Sequence, residues 1–173
     1  MMKLTTIGYE GASLEDFVHT LAVAGVNLLL DVRAVAASRR KGFSKSPLSE
    51  AVAAAGIDYI HLKGLGDPKA GREAARAGNY NKFLRIFTDH METEEARAAL
   101  QAAVEYIRQS TVCLMCYERD PNECHRKLVA DTLSDSIGLT IQHLGVKESL
   151  AANGGKRGPR KSPNTREGVA TCG

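Results

Sequence analysis

No part of the sequence is apolar over a length that would cross a membrane. A spanning helix needs about 20 consecutive apolar residues, and none of the 173 residues starts such a run. The N-terminus also lacks the long apolar region and the small-residue cleavage site of a secretory signal peptide. We therefore expect a cytoplasmic protein without membrane contact, in which the four cysteines stay reduced.

Several familiar catalytic and nucleotide-binding motifs are missing as well. Neither the phosphate-binding loop GxxxxGK(S/T) nor the dinucleotide fingerprint GxGxxG occurs. A cysteine phosphatase has an arginine six positions after its nucleophile, but Asn122 stands six positions after Cys116. Rhodanese-like sulfurtransferases cradle a persulfide with glycine-rich backbone amides, whereas residues 117–122 contain no glycine. These absences exclude the first three classes and leave sulfur transfer only as an alternative.

The positive net charge of +3 is located in the C-terminal segment. Residues 147–173 contain six Lys and Arg against two Glu, so they carry +4 and residues 1–146 carry −1. From Ala151 onward the composition offers almost nothing to bury, which is typical of a disordered segment. We predict an α/β domain over residues 1–146 and a flexible basic tail over 147–173. The tail either only solvates the protein or makes weak, salt-sensitive contact with nucleic acid.

Strand-like and helix-like patterns alternate along residues 3–144. The predicted strands cover about 3–8, 28–32, 57–62, 111–117 and 139–144, and the predicted helices cover about 13–25, 46–56, 80–91, 94–109 and 123–136. Residues 63–78 are rich in glycine and are predicted as a loop. Such alternation is typical of a parallel sheet with helices on both faces. We predict a single α/β domain of about five mostly parallel strands, with Rossmann-like or flavodoxin-like layering.

Reactive residue types collect where the predicted strands end. Ligands of open parallel sheets bind beyond the carboxyl ends of the strands. Guanidinium and imidazole groups there would hold an anionic small molecule or a nucleotide. The predicted ligand-binding residues are Arg33, Arg126, Tyr9, His61, His125, Arg39 and Lys45. Arg33 and Arg126 are expected to bind the anion, and His61 and Tyr9 to orient it.

Three of the cysteines lie close together in the sequence. Cys113 and Cys116 belong to one predicted strand, where residues three apart point to opposite faces. A CxxC redox or metal motif is therefore disfavoured. Cys113 is predicted to lie in the core, as free cysteines often do. Cys124 opens the next helix, where the helix dipole favours a thiolate or a bound anion. In this hypothesis Cys116 or Cys124 is the reactive thiol, and Glu118 or Glu10 carries the proton. The alternative is a buried Cys124 that only packs the helix against the sheet.

Zinc bound by Cys116, Cys124, His125 and His61 is a further alternative, but their spacing matches no specific zinc motif. The sequence therefore predicts no metal and no other cofactor. A non-catalytic module that binds nucleotides or nucleic acid, through the basic loop at Arg39 and Lys45 and the tail, is the competing functional class.

Five ordered motifs resemble those of a known family. They are Thr6–Gly11, Asp31–Arg33, Arg40–Lys45, Tyr59–Leu62 with Leu65-Gly66, and Cys116-x-Glu118 with Cys124-His125-Arg126. In this order and spacing they resemble the family called domain of unknown function 488, and the resemblance covers roughly residues 4–145. The resemblance implies a compact α/β domain with the motif residues at one edge, and it supplies no reaction. Tyr117 departs from the family pattern, which often has a small residue there.

Overall fold

The computed structural model describes residues 1–148. The predicted flexible segment from Ala151 onward lies outside these described residues. Within residues 1–148, no helix is long and apolar enough to cross a membrane.

A single sheet of five strands forms the centre of the described domain. The strands are β1 (Lys3–Gly8), β2 (Leu28–Asp31), β3 (Asp58–His61), β4 (Val112–Cys116) and β5 (Thr140–Leu144). All pairings are parallel, and the order across the sheet is β3-β2-β4-β1-β5. The predicted α/β class with about five strands is therefore confirmed.

Six α-helices accompany the sheet within residues 1–148. They are α1 (Leu14–Val23), α2 (Lys45–Ala54), α3 (Lys69–Arg76), α4 (Tyr80–Met91), α5 (Glu94–Gln109) and α6 (His125–Ile137). Buried side chains of α1 and α2 share one apolar cluster with the sheet, and those of α3 to α6 share another. The sheet is thus covered on both faces, which a parallel sheet requires.

Strand β4 shows why its sequence is apolar throughout. All five of its residues are buried. Cys113 and Met115 belong to the cluster with α1 and α2, whereas Leu114 and Cys116 belong to the cluster with α4, α5 and α6. Alternation along a strand produces this division. Cys113 is therefore buried in the core, as predicted, on the opposite face from Cys116.

The carboxyl ends of β1 and β4 lie side by side at the point where the chain changes direction across the sheet. After β1 the chain runs through α1 to β2, and after β4 it runs through α6 to β5 on the other side. Ligands bind at such switch points. The loop after β4 passes so close to β1 that a Cβ on Gly8 would lie 1.8 Å from the carbonyl oxygen of Glu118. Glycine at position 8 therefore lets this loop approach the end of β1.

The prediction of a loop over residues 63–78 is wrong, because residues 69–76 form α3. Glycine disfavours helix in general, but Gly71 leaves room for a neighbouring side chain inside this one. A Cβ at position 71 would lie 2.1 Å from Oδ1 of the buried Asp67 side chain. The glycine therefore reflects close packing and not a turn.

Two helices begin one or two residues away from their predicted starts. Helix α2 begins at Lys45 with Ser44 as N-cap, but the Ser44 hydroxyl instead accepts the backbone N–H of Ser38 at 3.0 Å. Residues 121–123 form a short 3₁₀ turn, so α6 begins only at His125. Cys124 is consequently the N-cap of α6 and not part of its first turn.

Candidate functional site

Two adjoining cavities, each of about 490 Å³, lie where β1, β2 and β4 end. Five residues line both: Asp67, Arg72, Arg76, Glu118 and His125. Tyr9, Arg33 and Cys116 also line the second cavity. We call the joint space the cleft. Its position matches the strand-end region expected from the sequence.

Cys116, Glu118 and His125 meet on the wall of the cleft. The Cys116 thiol lies 3.1 Å from Oε2 of Glu118 and 3.6 Å from Nδ1 of His125. Cys116 is the last residue of β4 and His125 the first of α6, so the short turn between them brings the two together. A thiol in contact with both a carboxylate and an imidazole can exchange protons with them, and thiol and imidazole together can bind a metal ion.

The ring of His125 is fixed by its second nitrogen. Nε2 lies 2.7 Å from the carbonyl oxygen of Val32, which can only accept, so Nε2 carries the hydrogen. In the neutral ring, Nδ1 is then an unprotonated acceptor. It lies 3.6 Å from the sulfur of Cys116 and 3.9 Å from that of Cys124. The backbone carbonyl of Val32, the residue that follows β2, thus directs one lone pair of His125 at both thiols.

Burial controls the protonation of the two thiols. It raises the pKa of Cys116, where the neighbouring Cys124 opposes the shift and Glu118 adds to it. It also raises the pKa of Cys124 well above the usual value. The expectation that the helix N-terminus lowers the Cys124 pKa is therefore wrong, although its sulfur accepts the N–H of Arg126 at 3.4 Å. Loss of hydration outweighs that contact at Cys124, and burial favours the neutral thiol form of both cysteines.

His125 itself responds to opposing influences. Burial lowers its pKa, whereas its contact with Cys124, its bond to Val32 and the charge of Asp67 raise it, and the net shift is upward. The ring is 7% exposed and lies at an edge of the aromatic group around Phe87, at 5.6 Å between ring centroids.

Arg33 borders the second cavity, but its guanidinium is engaged by protein groups. Its Nε and Nη2 donate to the two carboxylate oxygens of Asp31 at 2.9 and 2.7 Å. Its Nη1 donates to the Tyr9 hydroxyl at 3.2 Å and to the carbonyl of Phe43 at 2.7 Å. The hydroxyl of Tyr59 donates to the same Asp31 carboxylate. Arg33 therefore joins β2 to the loop before α2, with four hydrogen bonds already made.

The guanidinium of Arg126 also donates its hydrogen bonds to groups of the protein itself. Its side chain is fully buried, and it does not line the cleft. Nε donates to the hydroxyl of Thr6 at 3.1 Å, while the two terminal nitrogens donate to the carbonyls of Glu118 and Arg119. These bonds fix the loop that carries Glu118. The guanidinium expected to grip an anion instead positions a carboxylate.

The remaining predicted residues lie at different depths around the site. Glu10 accepts the backbone N–H of Arg119 at 2.9 Å, and His61 bonds the carbonyl of Arg33 at 2.7 Å through Nε2. Neither lines the cleft. Arg39 is exposed in a shallow neighbouring cavity that also includes Tyr9, and Lys45 is exposed at the start of α2. Among residues 1–148, none of these four forms a hydrogen bond or ion pair with Cys116.

The sequence patterns do not indicate Asp67, Arg72 and Arg76, because residues 63–78 are predicted as a loop. Arg72 and Arg76 lie one helical turn apart on α3, and each of them lines the two cavities of the cleft. Asp67 is buried with Oδ1 lacking a hydrogen-bond partner in the described structure, and burial raises its pKa to about 6. The i, i+4 spacing of Arg72 and Arg76 was the available signal.

Comparison with known families agrees with the motifs. The family model described as Domain of unknown function DUF488 matches residues 13–133. The chain belongs to this family. No curated protein and no solved structure matches it. The DUF488 match includes the cleft residues from Arg33 to His125, whereas β1 with Tyr9 and Glu10 precedes it.

Proposed function

We propose that the protein is an enzyme that acts on an anionic small molecule bound in the cleft. The guanidinium groups of Arg72 and Arg76 hold the anionic part, and the reacting part lies against Cys116, Glu118 and His125. The observation that carries the proposal is that both arginines line the same two cavities as Glu118 and His125. A cytoplasmic location is part of the proposal, because the three described cysteines are free thiols.

The arginines of α3 differ from Arg33 and Arg126 in how they are engaged. Arg72 makes one hydrogen bond through Nη1, to the carbonyl of Asp67 at 2.6 Å. Arg76 is exposed and, within residues 1–148, forms no ion pair within 4.0 Å. Guanidinium donors that the protein leaves unused are suited to phosphate or carboxylate ligands. These two side chains therefore take the anion-binding role expected of Arg33 and Arg126.

The carboxylates of the cleft favour an enzyme over a simple binding module. Glu118 and Asp67 line both cavities, and Glu123 lines one of them. Carboxylates repel an anion, so binding alone gives no reason to place three of them there. As proton carriers they have a use, and Asp67, with its pKa raised to about 6, is suited to proton transfer near neutral pH.

Anion binding can be tested by calorimetry on the full chain with orthophosphate, small carboxylates and nucleoside monophosphates. We expect at least one to bind, and Arg76→Gln to weaken it about tenfold or more, the effect of one charge-assisted hydrogen bond. Arg85→Gln is the matched control, because Arg85 is exposed on α4 and lies outside the cleft lining. If Arg76→Gln and Arg85→Gln bind the anion with equal affinity, the proposed anion site is contradicted.

Conversion of the bound compound distinguishes an enzyme from a binding module. The compound that binds is incubated with the protein and analysed by mass spectrometry. We expect conversion by the natural chain, and for Glu118→Gln we expect binding without conversion, since the amide cannot carry the proton. Recovery of the compound unchanged from the natural protein would support the binding module and contradict the proposal.

A further inference from the structure

Cys116, Cys124 and His125 form a compact group of three metal-ligand types. The two sulfur atoms and a ring nitrogen of His125 all lie within 4.8 Å of one another. All three residues are buried, and two of them, Cys116 and His125, line the cleft. Thiolate sulfur with imidazole nitrogen is a donor set that zinc prefers. Cys113, which β4 places on the other face, takes no part.

The separations between the donor atoms suit a tetrahedral zinc ion. Zinc bonds of about 2.3 Å to sulfur and about 2.05 Å to nitrogen at the tetrahedral angle place the two ligand atoms roughly 3.6 Å apart. The Nδ1 atom of His125 lies 3.6 Å from the sulfur of Cys116 and 3.9 Å from that of Cys124. The two sulfur atoms lie within 4.8 Å of each other, so an ion bound just outside the plane of the three donor atoms needs little movement of the chain.

The environment of His125 supports the same assignment. A metal-binding imidazole usually donates its other N–H to a carboxylate or a backbone carbonyl, which fixes the tautomer and the ring plane. Nε2 of His125 does this with the carbonyl of Val32 at 2.7 Å. Zinc binding displaces the two thiol protons to solvent, and the two resulting thiolates neutralise the charge of Zn²⁺, so the ion with its ligands places no net charge in the buried region.

We propose that Cys116, Cys124 and His125 bind a zinc ion whose fourth position faces the cleft beside Glu118. The inference deepens the proposed function, since it supplies a cofactor for that same site. Three protein ligands with one open position are the arrangement of catalytic zinc sites, where the ion activates a water molecule or polarises the substrate. Cys116 and Cys124 then act as ligands and not as nucleophiles, and Glu118, 3.1 Å from the Cys116 sulfur, stands where it can exchange a proton with the open position.

Metal content gives the first test. The test uses the full chain with Cys172→Ser, which removes the thiol outside the described residues. This protein is equilibrated with Zn²⁺ and desalted, and its zinc content is measured by inductively coupled plasma mass spectrometry. We expect one zinc per chain, retained after Cys113→Ser and lost after Cys124→Ser or His125→Gln, with circular dichroism showing that each variant is folded. Failure of the folded chain to retain zinc, or equal loss in the Cys113→Ser control, overturns the inference.

Cobalt replaces zinc in a second test that needs no ligand variant. Co²⁺ is added to the chain that carries only Cys172→Ser. It should give the intense visible absorption bands of a tetrahedral ion and a sulfur-to-cobalt charge-transfer band in the near ultraviolet. Weak octahedral bands without the charge-transfer band overturn the inference even if the variants fail to fold. Absence of metal binding together with anion binding that depends on Arg76 rejects the zinc ion alone and leaves the proposed function standing.

Discussion

Arg33 is buried at the end of β2 with its guanidinium bound to Asp31, Tyr9 and Phe43. The sequence correctly indicates that an arginine stands at a strand end. It does not indicate which way the side chain turns, because the competing partners come from the first strand and from the loop before α2. A buried carboxylate two residues earlier, Asp31, is the local feature that favours an internal pair over an external ligand.

Arg33→Met should strongly destabilise the domain. Asp31 is fully buried, and the substitution leaves its carboxylate without a counter-charge, so we expect a loss of about 3–5 kcal/mol in the free energy of unfolding. Urea denaturation followed by circular dichroism measures it. Arg108→Met is the control, because its ion pair with Glu105 is about half exposed and should contribute less than about 1 kcal/mol. Similar losses in both variants would contradict the structural role of Arg33.

Gly71→Ala should also destabilise the protein, although alanine is the better helix former by about 1 kcal/mol. The new methyl group would lie 2.1 Å from Oδ1 of Asp67, so we expect a net loss of about 1–3 kcal/mol from overpacking. The double variant Asp67→Ala with Gly71→Ala should recover much of the loss caused by Gly71→Ala alone. A double-mutant cycle from urea denaturation checks this, and additive effects of the two changes would show that the clash is not the cause.

At the scale of elements, hydrophobic patterning predicted the strands well and the helix starts less well. A strand such as β4, buried on both faces, must be apolar along its whole length, and this is visible in the sequence. Helix α3 was missed because Gly71 reflects contact with a side chain from outside the helix. The start of α6 was displaced because Cys124, a weak cap by type, occupies the N-cap position.

The attachment of the edge strand β5 to β1 should depend on pH through His143. The Thr6 hydroxyl oxygen accepts from Arg126, which leaves its hydrogen for Nδ1 of His143 at 2.6 Å. Partial burial lowers the His143 pKa, and the charges of Arg126 and Lys127 lower it further. The folded chain thus resists protonation more than the unfolded chain, so stability falls as pH drops through about 6.5, the usual histidine pKa.

His143→Asn isolates this contribution, because the amide oxygen can accept from Thr6 and does not titrate. We expect the stability advantage of the natural chain over the variant to shrink between pH 7.5 and pH 5.5, measured by urea denaturation at each pH. The comparison between the two proteins removes the effects of other titrating groups. A stability difference that stays constant across this range would contradict the assigned role of His143.

At the scale of the whole molecule, the strand ends predict where the cleft lies, but no sequence pattern indicates that Arg72 and Arg76 line it. Parallel strands bring their carboxyl ends to one edge, so the meeting of Cys116, Glu118 and His125 there could be expected from strand assignments alone. Arg72 and Arg76 reach the same edge from α3, which is not adjacent to β4 in the chain. Their place in the cleft follows from the packing of α3 over the edge, which no local pattern shows.

Removal of residues 149–173 should leave the domain intact. The buried clusters on both faces consist of residues between Leu4 and Val146. We therefore expect the shortened chain to match the full chain in melting temperature and in affinity for anions. Any binding to RNA or DNA in an electrophoretic shift assay should be lost with the basic segment. Nucleic-acid binding that survives the truncation would instead assign that role to the folded domain, through the exposed basic loop at Arg39 and Lys45.

The most direct test of the anion site is a crystal structure of the protein with a heavy tetrahedral oxyanion such as tungstate. Anomalous scattering locates the anion without assumptions about its partners. We predict a peak in the cleft, within hydrogen-bond distance of Arg72 or Arg76 and facing Cys116, Glu118 and His125. Anion peaks confined to the exposed loop at Arg39 and Lys45, with none in the cleft, would contradict the proposal that this protein binds and transforms an anionic substrate there.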